Sequence, residues 1–464
     1  MRQRALVLLA ALVLLTGFAL AGGPMLVTGP ASLTPGMPYV WDVAAMPIQY
    51  TVDGGPMSKT STGAIVVDNA TGLARVQAMF QIWQSVSTAA ISYSYAGHIT
   101  ATGLSADGDV DTVSEYNAVQ TACKNGTQSP VVFDSNGSIL KGLGLDPLVI
   151  GFAGLCKLDS QAGYILSAHV LLNGKMQDGV NDPSSSNYEL TSDEFDEAIT
   201  HELGHFSGLD HSQINVEILN QFVGNCNLDD LAGLPLMFPL AYCQSKKSAG
   251  LPILAPDDQA WISKLYPSAG YPAAYGTISG LIYFSDGITQ VQGLNVIARL
   301  LDDPNTPQDE SKRIAVSVVS GYLFTGNPGQ PVTGNNPGSS FGSRSPALIG
   351  YYEIPVPPGT YTVQVENIDS RFAWGSSVGP LDPPVSTYGA YEFWHHNESA
   401  YDDTSQKDPV TVPAGQSVSG INFILNNTPP RFDRYEDGLA FLHPPATGWP
   451  SARRPGGTLL RRGM

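Results

Sequence analysis

The feature that most constrains this chain is the run His-Glu-Leu-Gly-His-Phe-Ser-Gly-Leu-Asp-His at positions 201–211. Apolar residues recur at helical spacing before and within it, and Thr191 with Glu194 has the Thr-x-x-Glu form of a capping box. We therefore predict a helix over residues 192–207. This helix would hold two imidazoles and a carboxylate at fixed offsets along a single element.

Three histidines and one glutamate of this run form a candidate metal site. His201 and His205 lie one turn apart on the same face of the predicted helix, so they can share one ion. Gly208 can end the helix in a left-handed conformation and bring His211 round as a third ligand. Three protein ligands leave a position for water, as in catalytic zinc sites, and Glu202 can take a proton from that water.

The alternative interpretation of the run is a core helix that carries histidines by chance. Three of the eight histidines in the chain lie at these offsets, together with a glutamate and a glycine. The combination favours the metal site.

The eleven-residue pattern resembles the signature of the metzincin zinc proteases. The resemblance implies Zn²⁺ held by the three histidines, with Glu202 as the catalytic general base and Gly208 at the turn. Met237 followed by Pro239 is similar to the methionine turn of the matrixin branch, in which a methionine packs beneath the zinc site. A predicted helix that begins with the paired aspartates 257–258 is similar to the closing helix of that branch.

The resemblance covers residues 41–267, which we predict to form an α+β metzincin-type catalytic domain with a twisted mixed sheet and an active-site helix. Several positions depart from the branch. The 25 residues between His211 and Met237 are many more than compact matrixins have, and Ala241 stands where the branch has a tyrosine. No cysteine precedes this domain to block zinc. The branch's calcium ligands are not recognisable, so Ca²⁺ is only a secondary candidate cofactor, and we expect the Asp134–Ser138 run to form an Asx turn.

Composition limits the classes of partner. The formal net charge of −18 argues against nucleic acid as the main partner, because phosphate binding needs a basic face. Unaided binding to anionic membranes is disfavoured by the same charge. The motif instead implies protein or peptide substrates. The 464 residues are enough for two or three domains.

The first 21 residues have the form of a secretory signal peptide. Arg2 and Arg4 precede an apolar run over residues 5–20, and a small-x-small site predicts cleavage near Ala21. An uncleaved anchor is the alternative, although the run is short for a membrane span, which needs about 20 residues. We expect a secreted, extracellular protein without stable membrane insertion. Residues 22–40 follow as a Gly/Pro-rich lead-in with little core potential.

Four cysteines fit an exported protein, and all lie in the predicted catalytic domain. Four cysteines allow three pairings, and none shows the spacing of a zinc knuckle. Nearest-neighbour pairing closes the shortest loops and is the pairing that we prefer. It joins Cys123 to Cys156 and Cys226 to Cys243.

The second half has strand patterns and turn signals but no helical ones. After a predicted linker over residues 268–275, alternating apolar residues and a Pro-Pro-Gly-Thr-Tyr-Thr-Val unit predict several short strands over 276–425. The motifs resemble the carboxypeptidase regulatory-like, transthyretin-like β-sandwich. That resemblance implies an all-β spacing or adhesion module with a surface or matrix ligand. Residues 426–464, rich in Pro and Arg, are predicted to be a disordered tail.

The function that this sequence predicts is that of a secreted zinc endopeptidase. In this hypothesis zinc activates a water molecule for peptide hydrolysis, with Glu202 as general base. Met237, Pro239 and Gly208 would support the site. The alternative is a non-catalytic extracellular adhesin or matrix-binding protein built on a protease scaffold, with zinc in a structural role.

Overall fold

The computed structural model describes most of the chain, namely residues 23–104, 107–181, 188–212, 214, 226–241, 243–324, 342–367, 392–429 and 458–462. The predicted signal peptide and much of the predicted tail lie outside the described residues. Residue 213 and residues 215–225, between His211 and Met237, also lie outside them.

The first half is built around a mixed β-sheet. The strands of the first half are, in chain order, β1 (Val40–Trp41), β2 (Ile48–Val52), β3 (Ser58–Lys59), β4 (Ile65–Val67), β5 (Tyr93–His98), β6 (Pro130–Asp134), β7 (Val149–Asp159), β8 (Tyr164–Asn173) and β9 (Leu240–Ala241). Strands β5-β2-β6-β8 run parallel in that spatial order, and β1 also pairs with β8 in parallel. Strand β7 lies antiparallel beside β8. Strands β3 and β4 form a separate small hairpin.

Helices accompany the strands of the first half. They are α1 (Asn69–Gln84), α2 (Val113–Lys124), α3 (Ser138–Gly142), α4 (Ser192–Phe206), α5 (Leu228–Gly233) and α6 (Pro256–Leu265). Strand β6 is buried along its whole length, as expected where both faces of a parallel sheet are covered. Within the described residues, no helix combines the length and the apolar content needed to cross a bilayer.

Helices α1 and α4 pack against each other through aromatic side chains. The indole of Trp83 on α1 donates a hydrogen bond to the Thr200 carbonyl on α4, at 2.8 Å. Phe80 meets Phe206 edge to face, with ring centroids 5.4 Å apart. Because all four residues are buried, these contacts fix the position of α4 in the core.

Both predicted disulfides are confirmed. Cys123 on α2 is bonded to Cys156 on β7, which ties a helix to the sheet. Cys226 is bonded to Cys243, so the second bridge closes a loop around α5 and β9. No free cysteine remains in the chain.

The second half consists mainly of two sheets with a shared core. Its elements are α7 (Tyr271–Ala274), β10 (Gly276–Tyr283), β11 (Leu294–Leu300), α8 (Glu310–Arg313), β12 (Ala315–Val319), β13 (Tyr351–Val356), β14 (Gly359–Asn367), β15 (Glu392–Phe393), β16 (Val410–Val412), β17 (Ser417–Val418) and β18 (Phe423–Ile424). One sheet has the order β13-β10-β17, with β18 also on β10. The other has the order β12-β11-β14-β15, with β16 also on β14. Buried residues of both sheets belong to one hydrophobic cluster.

The two halves are packed directly onto each other. The indole of Trp261 on α6 donates to the Ser317 carbonyl on β12, and the Ser317 amide donates to the Asp257 carboxylate, each at 2.8 Å. Lys264 on α6 forms an ion pair with Glu353 on β13. The predicted linker over 268–275 contains the short helix α7. Helix α6 thus joins the two halves, and so do ion pairs between α5 and α8, of Asp229 with Arg313 and of Asp230 with Lys312.

Five residues of the segment predicted to be disordered form a strand instead. Thr458–Arg462 is strand β19, which pairs antiparallel with β7 and parallel with β9. The expectation of a disordered tail over residues 426–464 is wrong for these five. The composition of this segment suggested disorder. Its pairing with strands far away in the sequence leaves no local pattern from which the strand could be predicted.

Candidate metal centre

Helix α4 carries the first two candidate ligands into the protein interior. The side chain of Thr191 accepts from the Glu194 amide and that of Glu194 accepts from the Thr191 amide, so the predicted capping box begins the helix. His201, Glu202 and His205 are fully buried. Since positions 201 and 205 are one turn apart, both imidazoles leave the helix on the same face.

The chain reverses at Gly208, whose φ of +88° lies in the left-handed region. The Gly208 amide donates to the His205 carbonyl at 2.9 Å, and the Leu209 amide donates to the Gly204 carbonyl at 3.0 Å. These bonds satisfy carbonyl groups of the last helical turn. The reversal returns His211 to the face of α4 that carries the other two histidines.

The lead-in segment packs against this turn. The Met25 amide donates to the Gly208 carbonyl at 2.7 Å, and the Asp210 amide donates to the Gly23 carbonyl at 3.1 Å. Met25 and Val27 are themselves buried. The expectation that residues 22–40 add little to the core is therefore wrong for this part of them.

The three imidazoles converge on one point. Nε2 of His205 lies 3.0 Å from Nε2 of His201 and 3.2 Å from Nε2 of His211. Nδ1 of His201 lies 2.7 Å from the Leu236 carbonyl oxygen, and Nδ1 of His205 lies 2.8 Å from that of Leu209. If each Nδ1–H donates to its carbonyl, the Nε2 lone pairs of these two rings face each other. A shared cation would relieve the resulting repulsion.

Burial favours the metal-binding form of these rings. Desolvation lowers the pKa of His201 to about 4. Desolvation, with the neighbouring imidazoles as a further cause, also holds the pKa values of His205 and His211 well below their usual range. Neutral imidazole is the form that binds a metal. Zinc–nitrogen bonds of about 2 Å are compatible with three nitrogens at these separations, so the donor set fits one zinc ion.

The carboxylate of Glu202 lacks hydrogen-bond partners in the part of the chain that the structure describes. Its carboxylate is fully buried, and neither oxygen has a hydrogen-bond partner among the described residues. Desolvation raises the pKa of this carboxyl group well above its usual range. A buried carboxylate without partners is costly, and such groups occur where a ligand or a reaction needs them.

Gly151 on β7 makes room for this carboxylate. A β-carbon at position 151 would lie 2.6 Å from Cγ and 2.8 Å from Oε1 of Glu202. Gly151 was not among the residues predicted to form the site. A glycine within a buried strand was the available signal, since it often marks the close approach of another group.

The predicted methionine turn lies beneath the helix. Met237 is buried, and a β-carbon at Gly204 would lie 2.4 Å from its Sδ. The Asp258 carboxylate accepts the amides of Leu236 and Met237, at 2.8 and 3.0 Å. The carbonyl group of Leu236 orients the imidazole of His201 through its contact with Nδ1. Asp258 thus acts on the site through the turn. Pro239, the other predicted support, is buried just after the turn.

A second histidine group does not offer the same ligands. Cys123, Cys156 and His169 cluster with ligand atoms within 4.8 Å of one another. Both sulfur atoms are joined in the disulfide, so neither is available as a thiolate. His169 lies within β8, as a strand residue. Asp134 accepts the amides of Ile139 and Leu140, so its carboxylate caps α3.

Comparison with known proteins identifies no family for this chain. No family model matches it, and no curated protein matches it. Among solved structures, it is similar to the dioxygenase domain of a dioxygenase carbohydrate-binding protein fusion from the cellulolytic bacterium Streptomyces sp. SirexAA-E. That match has 11% identity and a TM-score of 0.17, and covers 34% of this chain and 84% of the other. A likeness at this score supports no inference about fold or function.

Proposed function

We propose that this chain is a zinc-dependent endopeptidase of the metzincin type, similar to the matrixins. One observation carries the proposal: three buried Nε2 atoms converge beside a buried carboxylate that has no partner among the described residues. A structural zinc site is normally closed by four protein ligands and needs no base beside it. The arrangement here offers three histidines as ligands and one carboxylate that can serve as a base.

In the proposed mechanism, His201, His205 and His211 hold the metal. Bound zinc supplies Lewis acidity toward a water molecule and the substrate carbonyl. Glu202 accepts the proton of the attacking water and then delivers it to the leaving amine. Gly151 leaves the space in which this carboxylate lies.

We also propose that the protein works outside the cell. The signal-like sequence over residues 1–21 and the two disulfides support export. The second half, with two sheets around one core, supports our assignment of a transthyretin-like sandwich that spaces the catalytic half or attaches it to a surface or matrix ligand. Ca²⁺ stays a secondary prediction.

The test is digestion of casein and gelatin by the purified chain with zinc, with and without a chelator. The matched variants are Glu202→Gln, which keeps the shape of the side chain, and Glu197→Gln on the same helix. Glu197 accepts from the Ser245 hydroxyl and the Lys247 amide, and lies outside the proposed site.

We expect the chelator to abolish cleavage and zinc to restore it. Glu202→Gln should lower the rate by about 10²–10⁴-fold, the usual contribution of a general base. Glu197→Gln should stay near wild type. Zinc binding without any cleavage, in the wild type as in Glu202→Gln, would favour the adhesin alternative.

A further inference from the structure

Strand β19 lies between two elements of the candidate metal centre. Its backbone pairs with β7 on one side, where Leu459 is opposite Phe152 and Leu460 is opposite Gly151. On the other side it pairs with β9, where Arg461 is opposite Leu240. The segment is therefore held as an extended chain between two strands.

One neighbour of β19 contacts the site, and the other follows a supporting turn of the site in the chain. Gly151 of β7 is the residue that packs against Glu202. Strand β9 begins at Leu240, immediately after the turn of Met237 to Pro239 that supports His201. Cα atoms of β19 also come within 8 Å of helix α4. The backbone at Leu460 thus passes beside the proposed general base.

Pairing with a strand edge recognises an extended peptide through its main chain, whatever its side chains. An endopeptidase must bind its substrate in such a form near the base and the metal. Without β19, β7 and β9 would each present unpaired amide and carbonyl groups toward the site. These two edges define a peptide-binding groove, which we name by its walls, the β7–β9 groove.

We propose that the segment Thr458–Arg462 occupies the β7–β9 groove as an intramolecular competitor of the substrate. The proposal rests on the proposed endopeptidase function. The segment excludes peptides from the groove while it is paired and admits them when it leaves.

Two double variants of the full chain test the pairing. Leu459→Pro with Leu460→Pro removes two successive amides, one of which faces β7, because amides alternate in direction along a strand. Leu459→Val with Leu460→Val keeps both amides and the preference for an extended backbone. Each pair is also made together with Glu202→Gln, so that the segment is not lost by self-cleavage.

The first measurement is hydrogen–deuterium exchange of the zinc-loaded Glu202→Gln chains. We expect the amides of 149–153 and 458–462 to exchange at least about tenfold more slowly in the Val pair and in the parent than in the Pro pair. Exchange of 458–462 at the same rate in the parent and in the Pro pair would overturn the proposal. This measurement does not depend on proteolysis.

The second measurement is cleavage of a fluorogenic peptide by the chains that retain Glu202. A competitor in the groove predicts that the Pro pair lowers KM at least about fivefold with little change in kcat. A synthetic peptide of residues 455–464, added to the Pro pair, should raise KM again. Equal KM values in the wild type and the Pro pair would overturn the proposal while leaving the endopeptidase function intact. If none of the chains cleaves any substrate, the proposed function fails, and exchange alone decides the pairing.

Discussion

Glu202 and Asp258 are both buried carboxylates of the first half, but their surroundings differ. Asp258 accepts three backbone amides, from Leu236, Met237 and Ala255, and so shapes the turn beneath the histidines. Glu202 accepts no hydrogen bond from the described residues. A satisfied buried carboxylate stabilises the fold, whereas an unsatisfied one costs stability and calls for a functional reason. Asp258 therefore supports the turn, and Glu202 is the candidate for the reacting role that we propose.

The largest expected effect is that of His205→Ala. Because His205 Nε2 is the nitrogen adjacent to both other ligands, its loss should abolish stoichiometric zinc binding and reduce cleavage to background. Zinc should no longer raise the melting temperature, as it should for the wild type. Metal analysis and thermal unfolding with and without zinc measure this. His169→Ala, from the disulfide-linked group, serves as the control and should retain zinc; full zinc occupancy in His205→Ala would contradict the site.

Gly151→Ala should have the next largest effect. The added methyl group would lie 2.6 Å from Cγ of Glu202, so the carboxylate must move. A displacement of about 1 Å at a catalytic group costs on the order of 100-fold in rate. Zinc should stay bound. Gly154→Ala on the same strand meets His169 at 3.3 Å instead and should cost far less activity. Equal effects of both variants would show that strand disruption, and not displacement of Glu202, is responsible.

Asp258→Asn tests whether the Asp258 carboxylate stabilises the fold. An amide cannot accept as many backbone hydrogen bonds as a carboxylate, so we expect a loss of about 1–3 kcal/mol in the free energy of unfolding. Glu202→Gln should leave that free energy unchanged or raise it, because it neutralises an unpaired buried acid. Denaturant unfolding of both zinc-free variants measures the difference. A larger loss of stability in Glu202→Gln than in Asp258→Asn would contradict the roles assigned to the two carboxylates.

The last expected effect concerns pH. Burial, reinforced by the charge of Asp258, raises the pKa of Asp257 from 3.8 to about 8. The folded chain therefore holds this proton more tightly than the unfolded chain, so the free energy of unfolding should fall as pH rises from about 4 to about 8. Asp257→Asn should flatten the decline within this window. A slope that the substitution leaves unchanged would mean that Asp257 does not titrate there.

The local part of the site could be predicted from the sequence. The capping box of Thr191 and Glu194, the helix over 192–206 and the left-handed Gly208 depend on residues a few positions apart, where spacing determines geometry. The convergence of His211 on the helical pair follows from that turn. The preferred disulfide pairing also agreed with the structure, because short loops favour neighbouring cysteines.

The long-range part could not be predicted in the same way. Gly151 meets Glu202 only because β7 lies beside α4, and no local pattern encodes that proximity. Strand β19 pairs with β7 and β9, which precede it by hundreds of residues, while its Pro- and Arg-rich surroundings suggested disorder. The burial of Met25 and Val27 was missed because a short apolar stretch among Gly and Pro has little periodicity.

The most direct test of the central claim measures zinc content and peptide cleavage on the same samples of wild type and Glu202→Gln. The account predicts one zinc per chain in both proteins, with peptide-bond cleavage in the wild type and a rate lower by about 10²–10⁴-fold in the variant. Undiminished cleavage by Glu202→Gln, or an absence of zinc from active wild-type protein, would contradict it.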